Sequence, residues 1–141
     1  MLVAEVPMAV IVIVDDDPTI RLIAAELLRP DNHVVLEAED GDEALKVVGS
    51  MAVDLVVLDM LMPNKDGLET IIELRRTQPG IRILAISSGG RVGADQLLRT
   101  AMMLGADETM VKPLRLESFA STISRLLSQP QPRSMPQAEG A

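Results

Sequence analysis

The sequence predicts an α/β protein with a parallel sheet that carries helices on both faces. Three observations support this prediction. Short apolar runs alternate with amphipathic segments, the runs are too short to be buried helices, and prolines and glycines fall between the segments. With 141 residues, the chain has the length of one domain with a single core.

Five apolar runs, rich in Val, Ile and Leu, are predicted as strands. This composition is typical of strands that are buried on both faces of a sheet. In chain order the predicted strands span residues 8–14, 33–38, 54–58, 81–86 and 108–111. None of these runs has the length of an ordinary helix.

The amphipathic segments between and after these strands are predicted as helices. They span residues 18–29, 41–49, 67–77, 94–104 and 114–128. Residues that start or end helices and turns lie close to the boundaries: Pro18, Pro30, Gly49, Pro79, Gly80 and Gly105. The last helix has one apolar stripe at helical spacing, which we expect to pack on the sheet: Leu116, Phe119, Ala120, Ile123, Leu126 and Leu127.

The domain is predicted to span residues 1–128. Residues 129–141 are rich in Pro and Gln and show no periodicity, so a disordered tail is predicted there. No apolar run is long enough for a membrane span, and Glu5 and the lack of a basic start argue against a signal peptide. We therefore expect a soluble protein in the cytoplasm, with no membrane partner.

The composition is acidic and poor in aromatic residues. Thirteen basic and twenty-one acidic residues give a net charge of −8, which repels the phosphates of nucleic acids. One Phe and no Trp or Tyr leave little for stacking on bases. We therefore expect no direct nucleic-acid binding. The absence of Cys excludes disulfides and thiolate chemistry.

Polar side chains end four of the five predicted strands: Asp15, Asp16, Asp17, Asp59, Ser87, Ser88 and Lys112. In a doubly wound sheet, the functional crevice lies at this carboxyl edge. Carboxylates held close together repel, which favours a bound cation or a raised pKa. Oxygen ligands favour Mg²⁺, whereas zinc would need a cluster of His or Cys. Singly, each residue also fits an ordinary role, such as a helix cap for Asp17.

The most specific pattern follows the third predicted strand. Residues 58–67, "LDMLMPNKDG", contain a D-x-x-M-P-x-x-D-G motif, and "VDDDP", "EDGDEAL", "LGAD" and "VKP" occur elsewhere. In this order the motifs resemble those of response-regulator receiver domains, the aspartate-phosphorylated half of two-component signalling. The resemblance covers roughly residues 8–128. It implies a flavodoxin-like fold with strand order 2-1-3-4-5 and a phosphorylation site at the topological switch point.

The resemblance also implies the partners and the chemistry. Asp59 corresponds to the phospho-acceptor, which takes a phosphoryl group from a sensor histidine kinase or a histidine phosphotransfer protein. Mg²⁺, for which Mn²⁺ can substitute, would be held by Asp16 directly, by Asp15 through water, by Asp59 and by the main-chain carbonyl of Leu61. The output would be a contact with a downstream protein target that the sequence does not identify. Such a domain is not a conventional enzyme, since it catalyses only its own phosphorylation and dephosphorylation.

Two further residues correspond to the family's phosphate-binding groups. Lys112 resembles the amine that pairs with the phosphoryl group. Ser87 resembles the hydroxyl that bonds to it after transfer, with Ser88 as the alternative if the strand register differs by one.

The residues that would transmit the change on phosphorylation depart from the usual pattern of the family. Thr109 stands where an aromatic residue often rotates on activation, so we expect the change to run through Ser87, the loop "SSGGRVG" and the fourth helix. Met103, Thr109 and Arg115 are predicted to form part of the partner-binding surface.

Two alternatives stay open at this point. "VIVDDDPTI" also fits the D-x-D-x-T pattern of haloacid-dehalogenase-like phosphohydrolases, in which Asp15 would be the nucleophile and Asp17 the acid/base. That family's later acidic pair is not evident, and Asp59 would have no role. The third possibility is a degenerate receiver that acts only as a binding module, although no expected acid, hydroxyl or amine is missing.

Overall fold

The computed structural model describes residues 9–62, 67–88 and 93–129. In these residues, strands and helices alternate along the chain, as predicted. The strands are β1 (Val10–Val14), β2 (Val34–Ala38), β3 (Leu55–Asp59), β4 (Arg82–Ser88) and β5 (Glu108–Lys112). The helices are α1 (Pro18–Leu28), α2 (Gly41–Ser50), α3 (Gly67–Thr77), α4 (Ala94–Leu104) and α5 (Leu116–Ser128), with a short 3-10 turn at Arg29–Asp31.

All five strands pair in parallel, in the order β2-β1-β3-β4-β5. This order confirms the flavodoxin-like fold that the resemblance implies. The chain winds to one side from β1 to β2 and to the other side from β3 onward. The reversal point lies between the carboxyl ends of β1 and β3, where open α/β sheets bind their ligands.

The sheet separates two apolar layers, and β3 at its centre is buried along its whole length. On one face, α1 and α5 pack through Ala24, Leu28, Phe119, Ile123 and Leu126. On the other face, α2, α3 and α4 pack through Ala44, Val48, Ile71, Leu74, Leu98 and Ala101. Alternate residues of each strand point to opposite faces, so an uninterrupted apolar strand such as β3 serves both layers.

Side-chain caps fix the starts of α1 and α2. The Asp17 carboxylate accepts the Thr19 amide at 2.9 Å, and Pro18 occupies the first helical position. The Asp40 carboxylate accepts the Glu43 amide at 2.9 Å, while the Glu43 carboxylate accepts the Glu39 amide at 2.6 Å. Both helices therefore begin immediately after the carboxyl ends of β1 and β2.

Near the amino-terminal ends of β4 and β5, the side chain of Arg75 bonds to several segments of the chain. Arg75 donates from Nε to the carbonyl of Gly105 at 2.8 Å and from Nη2 to Asp107 Oδ2 at 2.6 Å. It also donates to the carbonyl of Ile81, while Asp107 Oδ2 accepts the Ile83 amide at 2.8 Å. We call these five residues the Arg75 cluster; it joins α3, α4, β4 and β5.

Several predicted boundaries differ from the structure by one or two residues, and two of these differences have a clear structural cause. Helix α5 begins at Leu116 rather than at residue 114, because Arg115 is extended and acts as its N-cap residue. Strand β4 continues to Ser88 because it pairs with β5 as far as the Ser88–Lys112 register. Residues 130–141, most of the predicted tail, lie outside the described residues, so the tail stays a prediction. None of the helices described here is both long and apolar enough to cross a membrane.

Candidate functional site

Strand β1 delivers two carboxylates to the carboxyl edge of the sheet. Asp15 directly follows the strand and is buried, whereas Asp16 is exposed. The Asp15 carboxylate accepts the Asp17 amide at 2.9 Å, and the Asp15 amide donates to the carbonyl of Ala38 at 3.1 Å. The turn that carries both acids is therefore fixed to β2 and to the start of α1.

Strand β3 ends at Asp59, which is 6% exposed. The Leu61 amide approaches its carboxylate at 3.5 Å, the outer limit of a hydrogen bond. Gly67 lies against the residue after the aspartate, since its amide faces the Met60 carbonyl at 3.4 Å. A Cβ on Gly67 would lie 2.7 Å from Met60 Cα, so only glycine lets α3 start this close to the site.

Strand β5 places an ammonium group between the two buried acids. Lys112 Nζ lies 2.9 Å from Asp15 Oδ2 and 3.7 Å from Asp59 Oδ1. The amine thus pairs more closely with Asp15 than with the predicted phospho-acceptor. The structure brings together Asp15, Asp16, Asp59 and Lys112 from three strands; we call these four residues the acidic edge.

The charges of the acidic edge perturb two pKa values. Burial, and then the negative charge of Asp15, raise the pKa of Asp59 from 3.8 to about 6, although Lys112 and the Leu61 amide oppose the rise. Burial alone would lower the pKa of Lys112, but its hydrogen bond to Asp15 and the nearby carboxylates raise it above its ordinary value. The lysine is therefore protonated at neutral pH, and Asp59 is largely ionised there.

The carboxylates of the acidic edge suit a hard divalent cation. Asp15, Asp16 and Asp59 each offer an oxygen, and the three oxygens lie within 4.8 Å of one another. The acidic edge contains three carboxylates and one ammonium group, so it has excess negative charge that a cation would neutralise. The donor set fits Mg²⁺, which takes oxygen ligands and keeps several waters. Coordination of the ion by the main-chain carbonyl of Leu61 stays a prediction.

The two candidate hydroxyls differ in their surroundings. Ser87 is 1% exposed, and its Oγ has no hydrogen-bond partner in the described part of the chain. Ser88 is half-buried and lies in register with Lys112. A buried hydroxyl without a partner is costly unless a ligand bonds to it. This difference favours Ser87 as the phosphate-binding hydroxyl.

The predicted partner surface is described only in part. Met103 is 83% exposed on α4, Thr109 is half-buried on β5, and Arg115 is exposed before α5. The surface stays a prediction. Residues 63–66 of the D-x-x-M-P-x-x-D-G motif and residues 89–92 of the predicted switch loop lie outside the described residues.

Arg21 is a neighbour of the site that sequence reasoning missed. Its guanidinium donates to the main-chain carbonyl of Asp15 at 2.7 Å and to Glu37 Oε1 at 2.7 Å. The available signal was its position one helical turn into α1, beside a strand that carries Glu37. That signal is weak, because an arginine on an amphipathic helix usually faces solvent.

The sequence of residues 11–124 matches the family described as response regulator receiver domain. The chain therefore belongs to this family, as the motifs indicated. The match sets aside the haloacid-dehalogenase alternative. In the structure, the carboxylate of Asp17 caps α1, so its position there is that of a structural group.

This chain resembles known proteins of similar length and known proteins of about twice its length. It is 30% identical to the chemotaxis protein CheY of Halobacterium salinarum over 118 residues, which are 84% of this chain and 96% of that protein. It is 35% identical to the transcriptional regulatory protein CpxR of Klebsiella pneumoniae over 117 residues, 83% of this chain but 48% of CpxR. The chain thus spans nearly all of one relative and about half of the other.

A solved structure agrees with the fold. The response regulator TrrA of Thermotoga maritima, crystallised in complex with Mg²⁺-BeF, is 32% identical. It superposes with a TM-score of 0.74 over 84% of this chain and 99% of that chain.

Proposed function

We propose that this protein is a phospho-accepting receiver. It takes a phosphoryl group onto Asp59 from a sensor histidine kinase or a histidine phosphotransfer protein, in the cytoplasm and with Mg²⁺. The observation that carries the proposal is the meeting of Asp59 with two further acids and Lys112 at the topological switch point.

Asp59 is suited to act as the nucleophile. With a pKa of about 6, its carboxylate is mostly ionised at neutral pH, so it can attack the phosphorus of a phosphohistidine. The P–N bond breaks as the O–P bond forms, and its electron pair leaves on the imidazole nitrogen of the donor. The product is an acyl phosphate on Asp59. Strand β3 and the close approach of Gly67 to Met60 hold the nucleophile in place.

The charge of the transferring group must be neutralised at the acidic edge. Asp15, Asp16 and Asp59 would hold Mg²⁺, which when bound supplies positive charge to the phosphoryl oxygens. Crystallisation of TrrA with Mg²⁺-BeF supports this assignment. Once the acceptor becomes an acyl phosphate, Lys112 has an anionic partner within reach besides Asp15.

Ser87 would bond to the phosphoryl group after transfer. Its buried Oγ has an unused hydrogen-bonding capacity, and it lies on β4, next to β3. A new bond there would favour one position of the segment between β4 and α4. The output would then be a contact with a target protein, for which Met103, Thr109 and Arg115 are the proposed surface. Direct binding to nucleic acid or to a membrane is not part of the proposal.

The test is phosphorylation by a small donor. Incubation with acetyl phosphate and Mg²⁺ or Mn²⁺ should add one phosphoryl mass, and the label should disappear in Asp59→Asn and in excess chelator. Asp31→Asn, which removes one negative charge at the 3-10 turn, should label like wild type and serves as the matched control. Full labelling of Asp59→Asn would refute the proposal. Asp15→Asn should also lose labelling at low Mg²⁺. Recovery of its labelling at higher Mg²⁺, with no recovery in Asp59→Asn, separates the metal-binding neighbour from the nucleophile.

A further inference from the structure

Arg21 connects the acidic edge to β2, the outermost strand on one side of the sheet. Its side chain is 18% exposed, which is low for an arginine on a surface helix. Nη1 donates to the main-chain carbonyl of Asp15 at 2.7 Å, and Nε donates to Glu37 Oε1 at 2.7 Å. The guanidinium therefore bridges the turn after β1 and the side chain of a β2 residue.

Arg21 contacts Asp15 at its main-chain carbonyl, which belongs to the peptide bond between Asp15 and Asp16. Asp15 is already held through its amide, which donates to Ala38, and through its carboxylate, which accepts the Asp17 amide. Arg21 adds a bond to the carbonyl, so three separate groups of one residue are fixed. The peptide that begins at this carbonyl leads directly to Asp16. A rotation of that peptide would move both carboxylates relative to Asp59.

We propose that Arg21 is a positioning residue for the metal-binding acids of the acidic edge. This inference rests on the proposed function, because it concerns the Mg²⁺ that Asp15, Asp16 and Asp59 would share. Arg21 acts through the main chain of Asp15 and has no direct part in phosphoryl transfer.

The guanidinium is well suited to this task. Its donors are fixed in a plane, so one group can bond to a carbonyl and a carboxylate in set directions. Glu37 orients it from the opposite side, and the surface hollow around it is lined also by Ala38, Glu39 and Glu43. Glu37 holds the guanidinium near the turn without occupying the metal-binding oxygens.

Arg21 could affect Mg²⁺ binding through its charge alone or by positioning the metal-binding acids. The two explanations predict opposite changes in Mg²⁺ affinity when the charge of Arg21 is removed. Loss of a cation near the three acids should strengthen Mg²⁺ binding if charge is all that matters. Loss of a positioning contact should weaken it, since groups that orient metal ligands commonly contribute roughly 10-fold or more to metal affinity. The sign of the change therefore separates the two explanations.

The experiment measures Mg²⁺ affinity by isothermal titration calorimetry, with Mn²⁺ binding followed by electron paramagnetic resonance as a second probe. Both methods avoid tryptophan fluorescence, since the chain has no Trp. Arg21→Gln is compared with Arg29→Gln, which removes the same charge from an exposed residue paired with Glu26. We expect Mg²⁺ binding to weaken roughly 5- to 10-fold in Arg21→Gln and to stay within about 2-fold in Arg29→Gln.

A second pair of variants tests the other end of the bridge. Glu37→Gln removes the carboxylate that orients Arg21, and Glu39→Gln removes an equal charge from the same hollow. We expect Glu37→Gln to weaken Mg²⁺ binding roughly 2- to 4-fold more than Glu39→Gln. Because Glu37 is about half exposed, this pair decides the matter if Arg21→Gln does not fold.

Equal or tighter Mg²⁺ binding by folded Arg21→Gln overturns the inference, as does equal binding by Glu37→Gln and Glu39→Gln. If wild-type protein binds Mg²⁺ and is phosphorylated while these comparisons fail, the inference alone is wrong. If the wild-type protein binds neither Mg²⁺ nor Mn²⁺, the proposed function fails together with it.

Discussion

At the amino-terminal edge of the sheet, Asp54 accepts the Val10 amide at 2.8 Å and Asp107 accepts both the Ile83 amide and the Arg75 guanidinium. At the opposite edge, the three carboxylates of the acidic edge lie close together, and two of them, Asp15 and Asp59, share Lys112. Both edges place acids at the ends of strands, but in the described residues only the carboxyl edge brings the oxygens of three carboxylates within 4.8 Å of one another.

The difference separates aspartates that stabilise the fold from aspartates that favour a bound cation. An acid that receives main-chain N–H groups or a guanidinium, outside a cluster of carboxylates, stabilises the fold as it stands. An acid held among other acids raises the free energy of the fold until a cation or a proton arrives. "LGAD" at residues 104–107 and "VVLD" at residues 56–59 both end an apolar segment with Asp, yet Asp107 belongs to the first kind and Asp59 to the second.

The largest expected effect on stability comes from breaking the Arg75 cluster. Arg75→Met would leave Asp107 and three main-chain carbonyls without this donor, so we expect a loss of about 3 kcal/mol in the free energy of unfolding. Urea unfolding followed by circular dichroism measures it. Arg76→Met is the matched control, since Arg76 is exposed on the same helix and should change stability by less than about 0.5 kcal/mol. Similar losses in both variants would mean that the cluster contributes no special stability.

A smaller effect of the opposite sign is expected at Asp59 in metal-free protein. Its pKa is raised from 3.8 to about 6, so the folded state binds its proton more tightly than the unfolded state does. The protonated form favours folding, and this contribution is lost as the pH rises from about 4 to above 6. The full shift corresponds to at most about 3 kcal/mol, and we expect about 1–2 kcal/mol because water screens this edge.

Asp59→Asn isolates that contribution. In chelator, the variant should be more stable than wild type at pH 7 by about 1–2 kcal/mol, and the difference should shrink toward pH 4. Urea unfolding across this pH range measures both. A constant difference between the two proteins would show that the carboxyl group of Asp59 does not titrate in this window.

The last expected effect, similar in size to that at Asp59, is the stabilisation by Mg²⁺. At ten times its dissociation constant, a ligand that binds only the folded state adds about 1.4 kcal/mol. Wild type should gain this amount, whereas Asp59→Asn should gain much less because one of the three oxygens that would hold the ion is replaced. Potassium chloride at matched ionic strength controls for screening. An equal gain in KCl would mean that Mg²⁺ acts only as a salt.

Much of this fold was predictable because the strands are short, mostly apolar runs, and polar residues lie at the carboxyl ends of four of the five. The same pattern indicated which side chains meet at the carboxyl edge, since parallel strands bring their carboxyl ends together. It did not show which acid pairs with Lys112, nor that Arg21 bonds to the carbonyl of Asp15. Those facts depend on rotamers and on distances of an ångström or two, which one sequence does not encode locally. The later start of α5 likewise follows from the extended backbone of Arg115.

The placement of Lys112 on β5 has a consequence for how the protein is made. In the described sheet, β5 pairs only with β4, and it is the last strand in chain order. A chain emerging from the ribosome presents Asp15 and Asp59 long before the lysine that completes the acidic edge. A partly synthesised chain, or one cut before residue 112, therefore carries the proposed acceptor but lacks the cation beside it. Under the proposed function, competence to receive phosphate would thus require that the whole sheet has been assembled.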